Sequence, residues 1–311
     1  MTHLDRAIEL AERGRGTTRP NPVVGAVVVA GGEVVGEGWH ERKGGPHAEV
    51  AALEAAGDRA RGATLYVTME PCAHHGTTPP CTEAVLQAGV AKVVAGSLDP
   101  NPEARGGLDV LRAAGVEVEN ADSFAARTQN EAWRTWVSHG RPFVVLKLAQ
   151  TLDGRVAVPG TDGWISGPDS RRRVHELRAQ VDAVAVGMGT ARADDPQLTA
   201  RDVGAKRQPR RLVFGSGPSE LEVRSGPLAE ELSALAGEGV QSLLLEGGPT
   251  LATSFLRAGL VDKLMLFVAP EVAGAGLTFA PELDDLVRLS HMTAEAVGND
   301  VLLTAYVHEP S

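Results

Sequence analysis

Apolar and polar positions follow two rhythms along the chain, and the switches between them predict its elements. Leu4, Ala7, Ile8 and Ala11 recur at helical spacing until Gly14 closes the pattern. Val23–Val29 is a β-branched run, and Gly31-Gly32 leads it into Val34–Trp39, which predicts a hairpin. Pro46 opens a helix over His47–Ala56, with Gly57 just past its end. A strand over Ala63–Thr68 runs into an irregular stretch, Glu70 to Pro80. A helix over Cys81–Ala88, a strand over Val90–Ala95 and a helix and strand within Leu108–Val118 follow. The polar segment Ser138–Pro142 reads as a linker. Beyond it, strands over Phe143–Leu148, Val181–Val186, Arg211–Phe214, Leu243–Leu245, Lys263–Val268 and Val301–Val307 are interleaved with helices over Ser170–Gln180, Pro227–Ala236 and Leu251–Arg257. Both halves therefore read as α/β.

A length of 311 residues suits two domains, and the linker places them at 1–141 and 142–311. At 43% hydrophobic, the chain has ample material for two cores, which excludes wholesale disorder. Thirty basic against forty acidic side chains leave a net charge of −10, which disfavours nucleic acid as a partner. Two cysteines cannot staple a chain this long. No apolar run approaches the roughly 20 residues of a membrane span, and the polar opening Met1–Arg6 has no secretory pattern. A cytoplasmic location and a homo-oligomeric state are expected.

The two cysteines carry the first chemistry. His47-Ala48-Glu49 lies at a helix start, Pro71-Cys72 at a strand end, and Cys81 at the next helix start behind Pro79-Pro80. One imidazole and two thiolates would hold a zinc ion and leave its fourth position open, as a catalytic site requires. Helix N-termini aimed at the metal favour thiolate over thiol. Glu49, in the first turn, is free to shuttle protons. A structural zinc, or two ordinary buried cysteines, are the competing readings.

The pattern matches the hydrolytic deaminase signature H-x-E…P-C-x-x-C, except that eight residues rather than two separate the cysteines. Glu70-Pro71-Cys72-Ala73-His74-His75-Gly76-Thr77-Thr78-Pro79-Pro80-Cys81, with Asn21-Pro22-Val23-Val24-Gly25, Pro46–Val50 and Asp99-Pro100-Asn101-Pro102, resembles the deaminase half of the bifunctional riboflavin-biosynthesis deaminase/reductase family. The resemblance covers most of residues 1–145. It implies a cytidine-deaminase-like three-layer domain with one Zn2+ on His47, Cys72 and Cys81. Glu49 would be the proton shuttle and Asn21 a pyrimidine contact. His74 and His75 would line the substrate or phosphate pocket or orient their loop. Glu70 reads as a structural hydrogen-bonder and Trp39 as hairpin core, with base stacking the alternative for Trp39.

In the second half, two strand–glycine–helix junctions, Val186–Thr190 and Glu246–Thr250, suit a phosphate, although neither completes G-x-G-x-x-G. Lys147–Arg155, Trp164-Ile165-Ser166, Leu177-Arg178-Ala179, Gly187–Thr190, Asp194–Thr199 and Glu246–Leu251 occur in the order of the same family's reductase half, a dihydrofolate-reductase-like domain that uses NADPH. This resemblance, over about 143–311, implies cofactor contacts at Ala149, Trp164, Thr190, Asp194, Ser216, Gly248, Pro249, Thr250, Leu251, Ala252, Thr253 and Ser254. It implies substrate contacts at Asp162, Arg178, Leu198, Arg201 and Glu246. Arg178 and Arg201 suit a sugar phosphate, Glu246 can accept from pyrimidine N–H groups, and Lys147 could polarise or protonate the sugar C1 centre. Arg171-Arg172-Arg173 reads as a solvated helix face and Asp153 as a turn residue. The chain departs from the pattern between Ser216 and Gln241, which is short for the family, as though a strand and loop were missing or compressed. Val213-Phe214-Gly215-Ser216 also lacks the expected aspartate before the serine.

The expected activity is a hydrolase and an oxidoreductase on one chain. The first half would deaminate 2,5-diamino-6-ribosylamino-4(3H)-pyrimidinone 5′-phosphate. The second would reduce 5-amino-6-(5-phosphoribosylamino)uracil to its ribitylamino product. The alternative is a deaminase whose shortened C-terminal domain only binds.

Overall fold

The structure, a computed structural model, describes residues 1–76, 79–158, 164–280 and 283–310. The chain divides into two units, one over Met1–Ser138 and one over His139–Glu309.

The first unit runs α1 (His3–Ala11), β1 (Gly25–Ala30), β2 (Glu33–Trp39), α2 (Ala48–Ala56), β3 (Thr64–Val67), α3 (Cys81–Ala88), β4 (Lys92–Ala95), α4 (Gly107–Ala113), β5 (Glu117–Asn120), α5 (Phe124–Gln129) and α6 (Glu131–His139). Its sheet has the order β2-β1-β3-β4-β5, antiparallel in the hairpin and parallel from β3 to β5. Alternation along β1 builds two cores. Ala26 and Val28 pack with Ala52, Val85 and Leu111 on one face, whereas Val27 and Val29 pack with Ala7 and Leu10 on the other. The result is three layers. Close approach of α2 to β2 depends on Gly36 and Gly38, where an added Cβ would lie 2.3 Å from the Ala52 oxygen and 2.4 Å from the Ala52 nitrogen.

The second unit contains β6 (Phe143–Thr151), α7 (Pro168–Gln180), β7 (Ala183–Gly187), α8 (Met188–Asp194), β8 (Arg210–Phe214), β9 (Glu222–Arg224), α9 (Leu228–Gly237), β10 (Ser242–Leu245), α10 (Pro249–Arg257), β11 (Lys263–Ala269), β12 (Ser290–Val297) and β13 (Asp300–Tyr306). Its eight strands have the order β12-β13-β11-β6-β10-β7-β8-β9. Those from β11 to β9 are parallel to their neighbours, and β12 and β13 form an antiparallel flank. Leu146, Leu148, Ala183, Leu212, Leu243 and Phe255 share its core.

Several elements differ from the sequence expectation. Pro46 lies before the cap rather than inside the helix, because His47 takes the extended cap conformation. Helices α5, α6 and α8 and strand β12 were not foreseen. A strand is present after Ser216: residues 215–221 connect β8 directly to the three-residue edge strand β9, paired in parallel from Leu212↔Glu222 to Phe214↔Arg224. Arg210 and Arg224 tie this edge to Glu222 and Glu238, with Arg210 Nη2 2.6 Å from Glu222 and Arg224 Nη2 2.8 Å from Glu238.

Candidate functional site

Three elements deliver the donors of the first unit. His47 caps α2, Cys72 follows β3, and Cys81 is the first residue of α3. Their ligand atoms all lie within 4.8 Å of one another, with His47 Nδ1 3.0 Å from Cys81 Sγ and 3.7 Å from Cys72 Sγ. A tetrahedral zinc with bonds of about 2.1 Å to nitrogen and 2.3 Å to sulfur needs donors roughly 3.6–3.8 Å apart, so the His47–Cys72 pair matches that ion and the closer His47–Cys81 pair need only open slightly to admit it. The first N–H of α3 donates to Cys72 Sγ at 3.3 Å. The Cys72 thiol is driven well below its ordinary value, first by hydrogen bonding with Cys81 and then by His47.

Glu49 sits in the first turn of α2, buried to 3% exposure, and its carboxyl hydrogen-bonds Cys81. Burial pushes the carboxyl up to about 7. Glu49 lies on a cavity of about 320 Å³, which Asn21, His47, Cys72 and His74 also help to line. His75 instead turns outward to Glu83, at 3.3 Å. Trp39 packs beside Ala7, Leu10 and Val27 and takes the Arg13 guanidinium over its ring at 4.9 Å, so it is hairpin core.

The cavity also has walls the motifs did not single out as site residues: His40, Asp99, Asn101, Trp133 and Trp136. Asp99 and Asn101 lay within a quoted motif, and that was the available signal. His40 and the tryptophans carried none, because their convergence is a long-range event. Burial pushes Asp99 up to about 6. Glu70 accepts backbone N–H bonds from Asp99, Gly106 and Leu108 at 3.2, 3.1 and 3.0 Å and thereby anchors the wall that carries Asp99. Close to this anchor, Gly107 leaves room for the strand end, since a Cβ there would lie 1.7 Å from the Pro71 oxygen.

In the second unit the carboxyl ends of the parallel strands bring three segments together. A Cβ on Gly248 would sit 3.2 Å from Thr190 Oγ1, and one on Gly215 would sit 2.8 Å from Met188 Cβ. Thr190, the residues beside Ser216 and the Gly248 turn are thus neighbours, with Arg192 Nη2 donating to the Ser216 oxygen at 3.3 Å. The glycines leave a cradle that side chains would fill, which suits the phosphates of a dinucleotide. Ala252 and Thr253 are buried, so the first turn of α10 is its open surface. Trp164 is 77% exposed, with the Arg171 guanidinium 5.8 Å from its ring.

Beside the cradle, Arg178 and Glu246 form a two-point pair, Nε to Oε1 at 2.6 Å and Nη2 to Oε2 at 2.9 Å. Burial lowers Lys147 from its ordinary value, and the neighbouring Glu246 charge opposes that. Burial raises Glu246, but hydrogen bonds from Arg178 and the Lys147 charge outweigh it and hold the carboxyl low. Arg178 is therefore committed to a carboxylate, which leaves the exposed Arg201 as the freer guanidinium. Leu198 is 1% exposed with φ 52°, so it presents backbone rather than side chain. Asp162 lies outside the described residues. Among the described residues, no helix is long and apolar enough to cross a membrane.

Comparison with known proteins agrees with this division. Residues 1–97 match the cytidine and deoxycytidylate deaminase zinc-binding region, and residues 142–303 match the RibD C-terminal domain. The riboflavin biosynthesis protein RibD of Aquifex aeolicus is 39% identical over 349 positions, covering 97% of this chain and 96% of that protein. The structure of Acinetobacter baumannii RibD, form 1, superposes with a TM-score of 0.83 at 36% identity, covering 98% of this chain and 97% of that one. A diaminohydroxyphosphoribosylaminopyrimidine deaminase/5-amino-6-(5-phosphoribosylamino)uracil reductase from Thermotoga maritima gives 0.80 at 36% identity, covering 98% and 97%. With a deaminase zinc-binding region and a RibD C-terminal domain on one polypeptide, the chain belongs to the RibD family of riboflavin biosynthesis proteins.

Proposed function

We propose that this bifunctional enzyme works at the two sites described, with a deaminase domain over 1–141 and a reductase domain over 142–311. The deaminase substrate is 2,5-diamino-6-ribosylamino-4(3H)-pyrimidinone 5′-phosphate, which loses ammonia as water supplies the new carbonyl oxygen. His47, Cys72 and Cys81 hold one zinc ion. When bound, zinc supplies the Lewis acidity that makes water a nucleophile near neutral pH. Glu49 takes the proton of the attacking water and returns it to the departing amino group. Its position beside the three donors, inside the cavity, supports that role. The Asn21 amide offers a donor and an acceptor to the pyrimidine edge, and His74 lines the same wall.

The reductase carries the deaminated product, 5-amino-6-(5-phosphoribosylamino)uracil, to its ribityl form. NADPH supplies the hydride. Ala149, Trp164, Thr190, Asp194, Ser216 and the turn from Gly248 to Ser254 form the cofactor side. Glu246 accepts from the pyrimidine, Arg201 faces the sugar phosphate, and Lys147 places positive charge beside the sugar C1 centre. The observation that carries the reading is the cluster of His47, Cys72 and Cys81 with Glu49 at its side. One assay tests it: ammonia release and NADPH consumption are followed on the pathway intermediate, with zinc quantified in the same sample. One zinc per chain and both turnovers are expected. Ammonia release from zinc-free protein would overturn the deaminase assignment.

A further inference from the structure

Two side chains outside the reductase cluster grip residues 199–201, the stretch that leads to Arg201. Gln208 pairs with Ala200 at both ends of its amide: Ala200 N–H donates to Oε1 at 2.8 Å, and Nε2 donates to the Ala200 oxygen at 2.9 Å. His175, one turn before Arg178 on α7, holds Nδ1 3.0 Å from the Thr199 oxygen and 3.2 Å from the Arg201 nitrogen. One nitrogen cannot serve both neighbours, because it either carries a proton or accepts one. The Thr199 oxygen already takes Arg178 Nη1 at 3.2 Å. A neutral ring whose Nδ1 accepts from Arg201 N–H therefore leaves neither backbone group unpaired, since the Thr199 oxygen keeps its bond from Arg178. Upstream, Leu198 is held at φ 52° with its side chain fully buried, a left-handed conformation a leucine adopts only when its surroundings enforce it. A short loop pinned by a histidine, a glutamine and an arginine is fixed more firmly than a mere connection requires.

We propose that His175 and Gln208 are positioning residues of the reductase, fixing the backbone of 199–201 so that the Arg201 guanidinium faces the phosphorylated sugar of the substrate. This rests on the reading of Arg201 as a substrate contact. The charged groups facing the His175 ring are Arg178 on its own helix, Arg201 on the held loop and Glu246 at the end of β10. Burial and the two arginines favour the neutral ring and together outweigh the Thr199 carbonyl and Glu246, which favour the protonated one. Protonating Nδ1 removes the acceptor for Arg201 N–H, so substrate binding weakens as pH falls.

The test uses the full-length, zinc-loaded enzyme with NADPH and the phosphorylated intermediate. His175→Ala and Gln208→Ala should each raise substrate KM about tenfold, the loss of roughly one net hydrogen bond of positioning, with kcat and the NADPH KM little changed. His175→Asn, whose amide oxygen can accept the Arg201 N–H, should restore KM and abolish its rise at acid pH. Arg201→Ala should raise KM further. If Arg201→Ala raises KM but His175→Ala does not, the positioning role is overturned and the substrate reading survives. If Arg201→Ala leaves KM unchanged, the substrate reading falls and takes the proposal with it. Loss of kcat and of thermal stability together, without recovery in His175→Asn, would assign His175 to folding alone and overturn the proposal.

Discussion

Replacing Glu246 with glutamine isolates the contribution of one negative charge to the reductase cluster. The carboxylate receives two Arg178 donors, and the paired side chains are only 12% and 10% exposed. Glutamine keeps the shape and one acceptor oxygen, so Glu246→Gln removes one charge-assisted bond and leaves Arg178 and Lys147 without their counter-ion. Removing one partner of a buried pair costs about 3–5 kcal/mol, and the surviving amide bond returns roughly 1 kcal/mol. The expected loss is therefore about 2–4 kcal/mol, some 30- to 900-fold in the folding equilibrium. Urea titration of the full chain, read by hydrogen exchange at α7 and β10, measures this unit separately. Because the folded carboxyl is held low, its contribution is complete above the unfolded value of about 4.3 and is lost as pH falls through the folded one. The gap between wild type and variant should accordingly close in acid. The Lys147 ammonium, deprived of the opposing charge, should drop further, moving the alkaline limb of the reductase profile to lower pH. A loss below about 0.5 kcal/mol at pH 7 would refute the reasoning, as would a gap that persists unchanged into acid.

Three other outcomes are expected. Glu49→Gln should retain one zinc per chain by metal analysis while ammonia release falls about 10²- to 10⁴-fold; near-normal turnover would remove Glu49 from proton transfer. Gly107→Ala should destabilise the first unit by about 1–3 kcal/mol and weaken zinc retention, because its Cβ collides with the Pro71 carbonyl next to Cys72; calorimetry and chelator competition check this. Asp99→Asn, in protein stripped of metal, should gain up to about 2–3 kcal/mol at pH 8 and nothing at pH 3. Burial raises the Asp99 carboxyl to about 6, so the favourable protonated state is lost as pH rises through that value; equal melting shifts at both pH values would contradict it.

What the sequence made legible follows from where each signal resides. The zinc donors could be read because thiol and imidazole chemistry is local to His47, Cys72 and Cys81, even across an eight-residue spacer. The buried strands β1, β6 and β10 announced themselves as apolar runs. Strand β12 did not, because Ser290–Val297 is exposed along most of its length and has no apolar face to mark it. Helix α8 begins beside glycine and is only 7 residues long, too short for periodicity to appear. Arg178 suits a sugar phosphate by residue type, which shows what a side chain can bind; its pairing with Glu246, 68 positions away, is visible only in the fold.

The short edge strand that follows Ser216 bears on more than catalysis. The alignment with the Aquifex protein runs to 349 positions against 311 residues in this chain, so residues present in that relative are absent from this one. In the second unit, β9 is the outermost strand on the β8 side of the sheet, four strands from β6 and Lys147. An outer strand of three residues, with Arg224 and Glu222 locked in ion pairs, offers a neighbouring molecule too little ladder to extend and a charge penalty for trying. So short and charge-locked a rim makes this side of the sheet a poor template for another chain, while the strands that do the chemistry lie further in.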